Sequence, residues 1–242
     1  MNFIRSVSLL SFLTGCLLAS PLQADTKLDQ AKKKVEAAMP GISFDEFKPS
    51  AVPGLYEAVV GTRVVYFSAD GGYMLNGDMV DLSSRKNLSE AKRATLLSKL
   101  LDQIGEANMI VMSPANPKRT ITVFTDVDCP YCAKLHLEVP ELNKNGVKVR
   151  YLLFPRGGLG TKTYDRSVAV WCAADRVKAV GIAKAGGKIE MKTCDNPVAK
   201  HYQLGKDLGI EGTPTIFVDD GQVMPGYIPA ANLLETLGIK KG

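Results

Sequence analysis

The sequence has little of what metal sites and disulfide scaffolds are built from. Its 242 residues include two histidines, one tryptophan and five cysteines. The histidines, His136 and His201, lie 65 positions apart, so they do not form the closely spaced pair that completes many zinc sites. Four cysteines lie beyond the N-terminal region, too few for a disulfide scaffold, so a hydrophobic core must carry the fold. There is no block of basic residues: 30 Lys and Arg are interspersed with 25 Asp and Glu for a net charge of +5, which argues against a nucleic-acid partner. No internal repeat or low-complexity segment stands out. What remains is an ordinary globular composition, 45% hydrophobic and 23% charged, at a length that suits one large domain or two modest ones.

The N-terminus reads as an export signal. Arg5 supplies the positive charge, Ser6 to Ala19 form an uncharged, mostly apolar run, and a polar stretch follows. The run is shorter than the ~20 apolar residues of a membrane-spanning helix. Cleavage after Ala24 would start the mature chain at Asp25, giving a soluble protein. The competing reading takes "LTGC", Leu13 to Cys16, as a lipobox with Cys16 lipidated. On either reading the chain leaves the cytosol for a compartment that permits disulfides.

Four regions follow. Residues 27–39 predict a charged helix stopped by Pro40-Gly41. "LYEAVVG" and "RVVYFSA", a turn at "ADGG" and the Asn-Gly signal in "YMLNGDMVDL" predict a small antiparallel sheet. That module, residues 25–85, buries little surface alone and calls for a partner, such as a second copy of itself. Residues 86–108 predict a helix with Asn87 and Glu90 in capping-box relation and Gly105 at its end. It reads equally as a connector or as a packed core helix. From 109 to 242 the pattern becomes α/β. A βαβ unit is made of "ITVFTD", "CAKLHLEVPELNKN" and "VKVRYLLF". A helical region spans about 163–202, two strands meet at Asp220-Gly221, and a closing helix follows. The overall class is α+β.

The chemistry is concentrated in "DVDCPYCAKLH", residues 126–136. Cys129 falls where a strand ends and a helix begins. Unpaired N–H groups and the positive end of the helix dipole lower a thiol's pKa there and favour the nucleophilic thiolate. Cys132, three residues on, is expected to be more buried and to resolve a mixed disulfide formed by Cys129. Pro130 suits the first helical turn, where its missing N–H costs little. The competing readings are half of a zinc site, for which no second ligand pair exists, and an inert staple. Haem attachment fails because Ala133, not His, follows Cys132. No metal and no cofactor is expected.

"GTPT", Gly212 to Thr215, precedes a strand about 80 residues later. In a thioredoxin-like domain such a loop lies beside the Cys pair, where the backbone of Thr213, before Pro214, can bind a substrate chain as an added strand. Cys172 and Cys194, 22 apart, read as a structural disulfide worth about 3 kcal/mol in the chain-entropy model, with a second redox centre as the sharper alternative. Asp126 and Asp128 are candidate proton relays, with solvated turn residues as the default. His136 and His201 read as core or surface residues.

Taken together, "ITVFTDVDCPYCAKLH", "VRYLLFPRGGL", "VWCAAD", "HYQLGKDLGIEGTPTIFVDDG" and "MPGYIP" resemble the DsbC/DsbG family of bacterial periplasmic disulfide isomerases. The resemblance implies a thioredoxin-like catalytic domain with a helical insertion, preceded by a small cystatin-like α+β dimerisation domain. It implies a V-shaped homodimer whose cleft holds misfolded, disulfide-containing exported proteins. It also implies attack by Cys129, resolution by Cys132, a cis peptide before Pro214, and a DsbD-type inner-membrane reductant. Pro-Tyr between the cysteines is the pair typical of DsbG, whereas the second cysteine pair points to DsbC. A DsbA-type oxidase and a chaperone without redox function are the competing functions.

Overall fold

The computed structural model describes residues 21–239. The signal-like run and Cys16 lie outside the described residues. Contacts divide the described chain into two compact units, one of residues 21–60 and 65–76, the other of 61–64 and 77–239.

The first unit begins with helix α1, Pro21–Ala38, which runs through Ala24, the expected cleavage point, and ends just before Pro40-Gly41. A four-stranded sheet follows in the order β1-β2-β3-β4. Its strands are β1 (Glu46–Pro49), β2 (Leu55–Val60), β3 (Arg63–Ser68) and β4 (Met74–Leu75). β1 pairs antiparallel with β2, and β3 with β4. β1 has no counterpart in the sequence reading, because four residues ending in Pro carry no alternation long enough to register. Val35, Ala58 and Phe67 form a small core, with Phe44 and Phe47 packed against it. The Phe44 ring lies 5.5 Å from Phe47 and 5.7 Å from Phe67, centre to centre.

The Asn76-Gly77 signal does not close a hairpin. The strand after it, β5 (Val80–Asp81), pairs instead with β6 (Lys86–Asn87) in a separate two-stranded sheet. A turn dipeptide permits a reversal but does not choose the strand's partner.

In the second unit, helix α2 (Leu88–Ile104) starts at Asn87, whose side chain accepts the Glu90 N–H at 2.9 Å, and stops at Gly105. It is a packed helix: Leu97 and Leu101 are buried among Phe124, Leu152, Ile210 and Phe217. Gly221, at φ +88°, lies so close that a Cβ there would come within 2.4 Å of Ala94. Only glycine fits that approach of a hairpin turn to a helix.

The main sheet has five strands in the order β11-β10-β8-β9-β7. These are β7 (Ile110–Met112), β8 (Arg119–Thr125), β9 (Val147–Leu153), β10 (Thr215–Val218) and β11 (Val223–Pro225). β8 and β9 are parallel, joined through helix α3 (Pro130–Lys144), and the other pairs are antiparallel. Ile121, Val123, Val149 and Ile216 are fully buried, the near-continuous apolar run expected of strands covered on both faces. The predicted helical region is three helices, α4 (Lys162–Trp171), α5 (Arg176–Lys184) and α6 (Val198–Asp207), and α7 (Ala230–Thr236) closes the chain. Residues 185–197 are not helical, and Cys194 lies among them. Its disulfide to Cys172, with the Cα atoms 5.8 Å apart, ties that connection to the end of α4.

Candidate active site

β8 ends at Thr125 and α3 begins at Pro130, so residues 126–129 form the short turn at the carboxyl end of a central strand. Cys129 is the N-cap of α3, in extended conformation, and Pro130 takes the first helical position. Cys132 then stands at the third position, one turn above. Both thiols are free, and both are 1% exposed. Accessible surface alone does not rank them, but Cys132 lies deeper in the protein, as expected.

The Thr213–Pro214 peptide is cis, and the Thr213 carbonyl accepts a hydrogen bond from Cys129 Sγ at 3.3 Å. Residues 84 positions apart thus meet at the sulfur. Pro214's carbonyl is held by the Gly226 N–H at 2.8 Å, which ties the loop to the start of the "GYIP" segment. Glu138 of α3 accepts from the Tyr227 hydroxyl and the Ala230 N–H, so the same segment is anchored to the helix that carries the cysteines.

Electrostatics separate the two thiols. Burial acts to raise the Cys129 pKa. The nearby Thr213 side chain, the Cys132 N–H and thiol, and the Arg156 guanidinium outweigh it and hold Cys129 below the ordinary thiol range. Burial wins at Cys132 and pushes its pKa up, against Lys184, Thr125, the Asp126 backbone and Thr213. One thiol is thus poised as a thiolate and its neighbour as a thiol, which is the division of labour that dithiol exchange requires. The Cys132 N–H belongs to the first turn of α3, so the helix-start argument acts through a specific donor.

Asp128 is an exposed turn residue, whereas Asp126 is not. Asp126 is 2% exposed. Its carboxylate accepts the Asp128 N–H at 2.7 Å, the Arg156 N–H at 3.0 Å and Arg156 Nε at 3.1 Å. Those donors hold the turn and aim Arg156 at the thiols. Asp128 accepts from the Thr163 hydroxyl at 2.7 Å and pairs with Arg166 Nε at 3.3 Å. A buried carboxylate needs such partners, and no local spacing in "DVDC" announces residues that come from 28 or more positions away.

His136 and His201 do structural work. His136 Nδ1 lies 3.2 Å from the Tyr151 hydroxyl, and His201 Nδ1 accepts the Leu153 N–H at 3.2 Å. Burial depresses both to a pKa of about 4, with Lys184 adding to the effect at His136. The sequence reading missed Thr125, Arg156 and Lys184. Lys184 left a trace: it follows Val180 by four on the face of α5 that also buries Ala179 and Ala183.

Residues 107–239 match the family described as Thioredoxin-like domain. Residues 21–90 match the Disulfide bond isomerase protein N-terminal domain. The chain belongs to the DsbC family. It is 35% identical to the thiol:disulfide interchange protein DsbC of Dickeya dadantii over 93% of each chain. It is 37% identical to that of Salmonella typhimurium over 89% of this chain and 90% of the other. Among solved structures, a disulfide interchange protein from Neisseria gonorrhoeae superposes with TM-score 0.50 at 31% identity, over 55% of this chain and 96% of that one. Like other members of the DsbC family, the chain pairs a thioredoxin-like fold with a separate α+β N-terminal unit.

Proposed function

We infer that this chain is a protein disulfide isomerase. The observation that carries the reading is the Cys129 sulfur, held at the start of α3 beside the Thr213 carbonyl, with a pKa lowered while that of Cys132 is raised. The Cys129 thiolate attacks one sulfur of a substrate disulfide. That S–S bond breaks, its electron pair leaves on the second substrate sulfur, and a mixed disulfide forms. The freed substrate thiolate then attacks another disulfide of the same chain, and a later substrate thiolate displaces Cys129. No electrons are exchanged overall. When no substrate thiol returns, Cys132 attacks Cys129, releases the substrate reduced by two electrons and leaves the 129–132 disulfide.

That escape route leaves the protein oxidised, so sustained isomerisation calls for a reductant of the DsbD type. The site lies on the thioredoxin-like part, residues 109–242, and the Thr213 backbone is available to bind an extended substrate segment. Residues 25–85 are the dimerisation module and 86–108 the helix that follows it. The small aromatic core of that module supports a need for a second copy. Disulfide chemistry and the signal-like N-terminus support a periplasmic homodimer acting on misfolded exported proteins. Among the described residues, no helix is long and apolar enough to cross a membrane.

The test is reactivation of scrambled ribonuclease by the protein with Cys129 and Cys132 both replaced by Ala. Isomerisation is expected to vanish while suppression of aggregation persists, and surviving isomerisation would sink the assignment. Pro130, in the position that distinguishes DsbG-like sequences, favours measuring the potential against glutathione in parallel. A strongly oxidising value would favour an oxidase.

A further inference from the structure

Helix α3 carries the cysteines at its start and a carboxylate roughly two turns further on. That carboxylate, Glu138, accepts from the Tyr227 hydroxyl and from the Ala230 N–H. Ala230 is the first residue of α7, and its N-cap, Pro229, has no side-chain acceptor. Glu138 therefore supplies from another helix the partner that the local sequence lacks. Both donors lie in the short connection between β11, which ends at Pro225, and α7.

The same connection holds the proline loop. The last paired residues of β10 and β11 are Thr215 and Pro225, and the Gly226 N–H extends that ladder to the Pro214 carbonyl at 2.8 Å. One residue earlier, the Thr213 carbonyl accepts from Cys129 Sγ at 3.3 Å. The contacts close a ring: Glu138 to Tyr227 and Ala230, Gly226 to Pro214, Thr213 to Cys129, and back along α3. Gly226 is the soft point of that ring. It is exposed, sits at φ +89°, and a Cβ there would meet nothing within 4 Å. A glycine so placed does not fix the direction of the chain. Two hydrogen bonds from one carboxylate, to residues 227 and 230, fix both its position and its orientation.

We propose that Glu138 is a positioning residue for substrate, which sets the proline loop at the distance from Cys129 that an extended, strand-paired chain requires. The proposal rests on the reading that the Thr213 backbone binds substrate as an added strand. Glu138 touches neither the substrate nor a sulfur, and acts only through the 226–230 connection. A carboxylate suits the task because it accepts at both oxygens and presents no donor of its own. A loop set free by its loss leaves both thiols in place but misplaces the backbone of a bound chain relative to the nucleophile. The loss therefore falls on the binding of extended chains and not on the chemistry of the sulfur.

The test compares two chromogenic disulfides with the reduced full-length protein. One is a linear peptide whose central cysteine carries thionitrobenzoate. The other is dithiobis(nitrobenzoate), which has no backbone to pair. Glu138→Ala is expected to raise the half-saturating peptide concentration about fivefold, with the limiting rate retained. The ratio of peptide to small-disulfide rate constants is expected to fall by the same factor. Glu138→Gln is expected to restore most of the loss, because its amide oxygen accepts the Ala230 N–H while its NH2 donates to the Tyr227 oxygen. Tyr227→Phe removes one of the two bonds and is expected to give a rise of about twofold, so the test does not depend on Glu138→Ala folding. Half-saturation equal to the parent's in both Glu138→Ala and Tyr227→Phe would overturn the proposal. Equal losses with peptide and small disulfide would also overturn it, by showing a general disturbance of α3. A loss in Glu138→Gln as large as in Glu138→Ala would overturn it by assigning the effect to charge. The underlying reading fails differently: the parent protein would then take a peptide N-methylated beside its cysteine as readily as the unmodified one.

Discussion

The two cysteine pairs share one domain and do opposite things, and their surroundings explain why. Cys129 and Cys132 are separated by two residues at a helix start, both free, with the Thr213 carbonyl at the Cys129 sulfur and the charges of Arg156 and Lys184 favouring thiolate. Cys172 and Cys194 are 22 residues apart and joined, and the bond closes a connection between helices. Arg176 lies over the neighbouring Trp171 ring at 3.7 Å, and that ring meets His201 edge-on at 6.1 Å. One environment tunes charge on sulfur. The other supplies packing and a covalent tie. Reactivity comes from the polar groups around a thiol, not from the presence of a thiol in a fold.

The sharpest way to break this comparison is to disable each pair in turn. Cys129→Ser is expected to reduce isomerisation of scrambled ribonuclease by about 1000-fold or more, since the nucleophile itself is lost. Replacing Cys172 and Cys194 together by Ala is expected to leave the rate of Cys129 alkylation by iodoacetamide unchanged. It is expected to lower unfolding stability in urea by about 3 kcal/mol, the loop-closure value for a bridge of this length. A fall in alkylation as large as the fall in stability would end the separation of roles.

The stapled region also carries a pH signature. His201, 2% exposed, has its pKa lowered by burial to about 4. The unfolded chain binds a proton near pH 6.5 and the folded one does not until about pH 4. Stability is therefore full above pH 6.5 and declines as pH falls through that window. Urea unfolding at pH 7 and pH 4.5 is expected to differ by roughly 2 kcal/mol from this group, and His201→Gln is expected to remove that share while leaving the one from His136.

The smallest expected effect is at Arg156, whose half-exposed side chain is screened by solvent. Arg156→Met removes one of the groups that lower the Cys129 pKa, so alkylation of Cys129 at pH 6 is expected to slow by a few-fold. At pH 10, where the thiolate dominates in both proteins, the difference is expected to close.

Much of the fold and of the site is legible in the order of residues alone, and for local reasons. The C-x-x-C at a strand-to-helix junction, the Asn87 cap, the Gly105 stop and the period-two strands are set within a few residues of chain. The Cys172–Cys194 pairing follows from spacing and an even count. The misreadings have a common cause. Asn76-Gly77 marks a turn but not which strands pair across it, and "DVDC" shows two carboxylates but not the guanidinium that engages one of them.

By itself the sequence determined the two thiols, their helix-start position, the proline loop and the chain's division into an α+β module and an α/β one. Short-range backbone sterics, hydrophobic period and cysteine spacing suffice for those. Tertiary structure decided which groups set the two thiols apart. Thr213, Arg156 and Lys184 reach the sulfurs from three distant segments, and in a low-dielectric interior a few ångströms of placement separate a thiolate from a thiol.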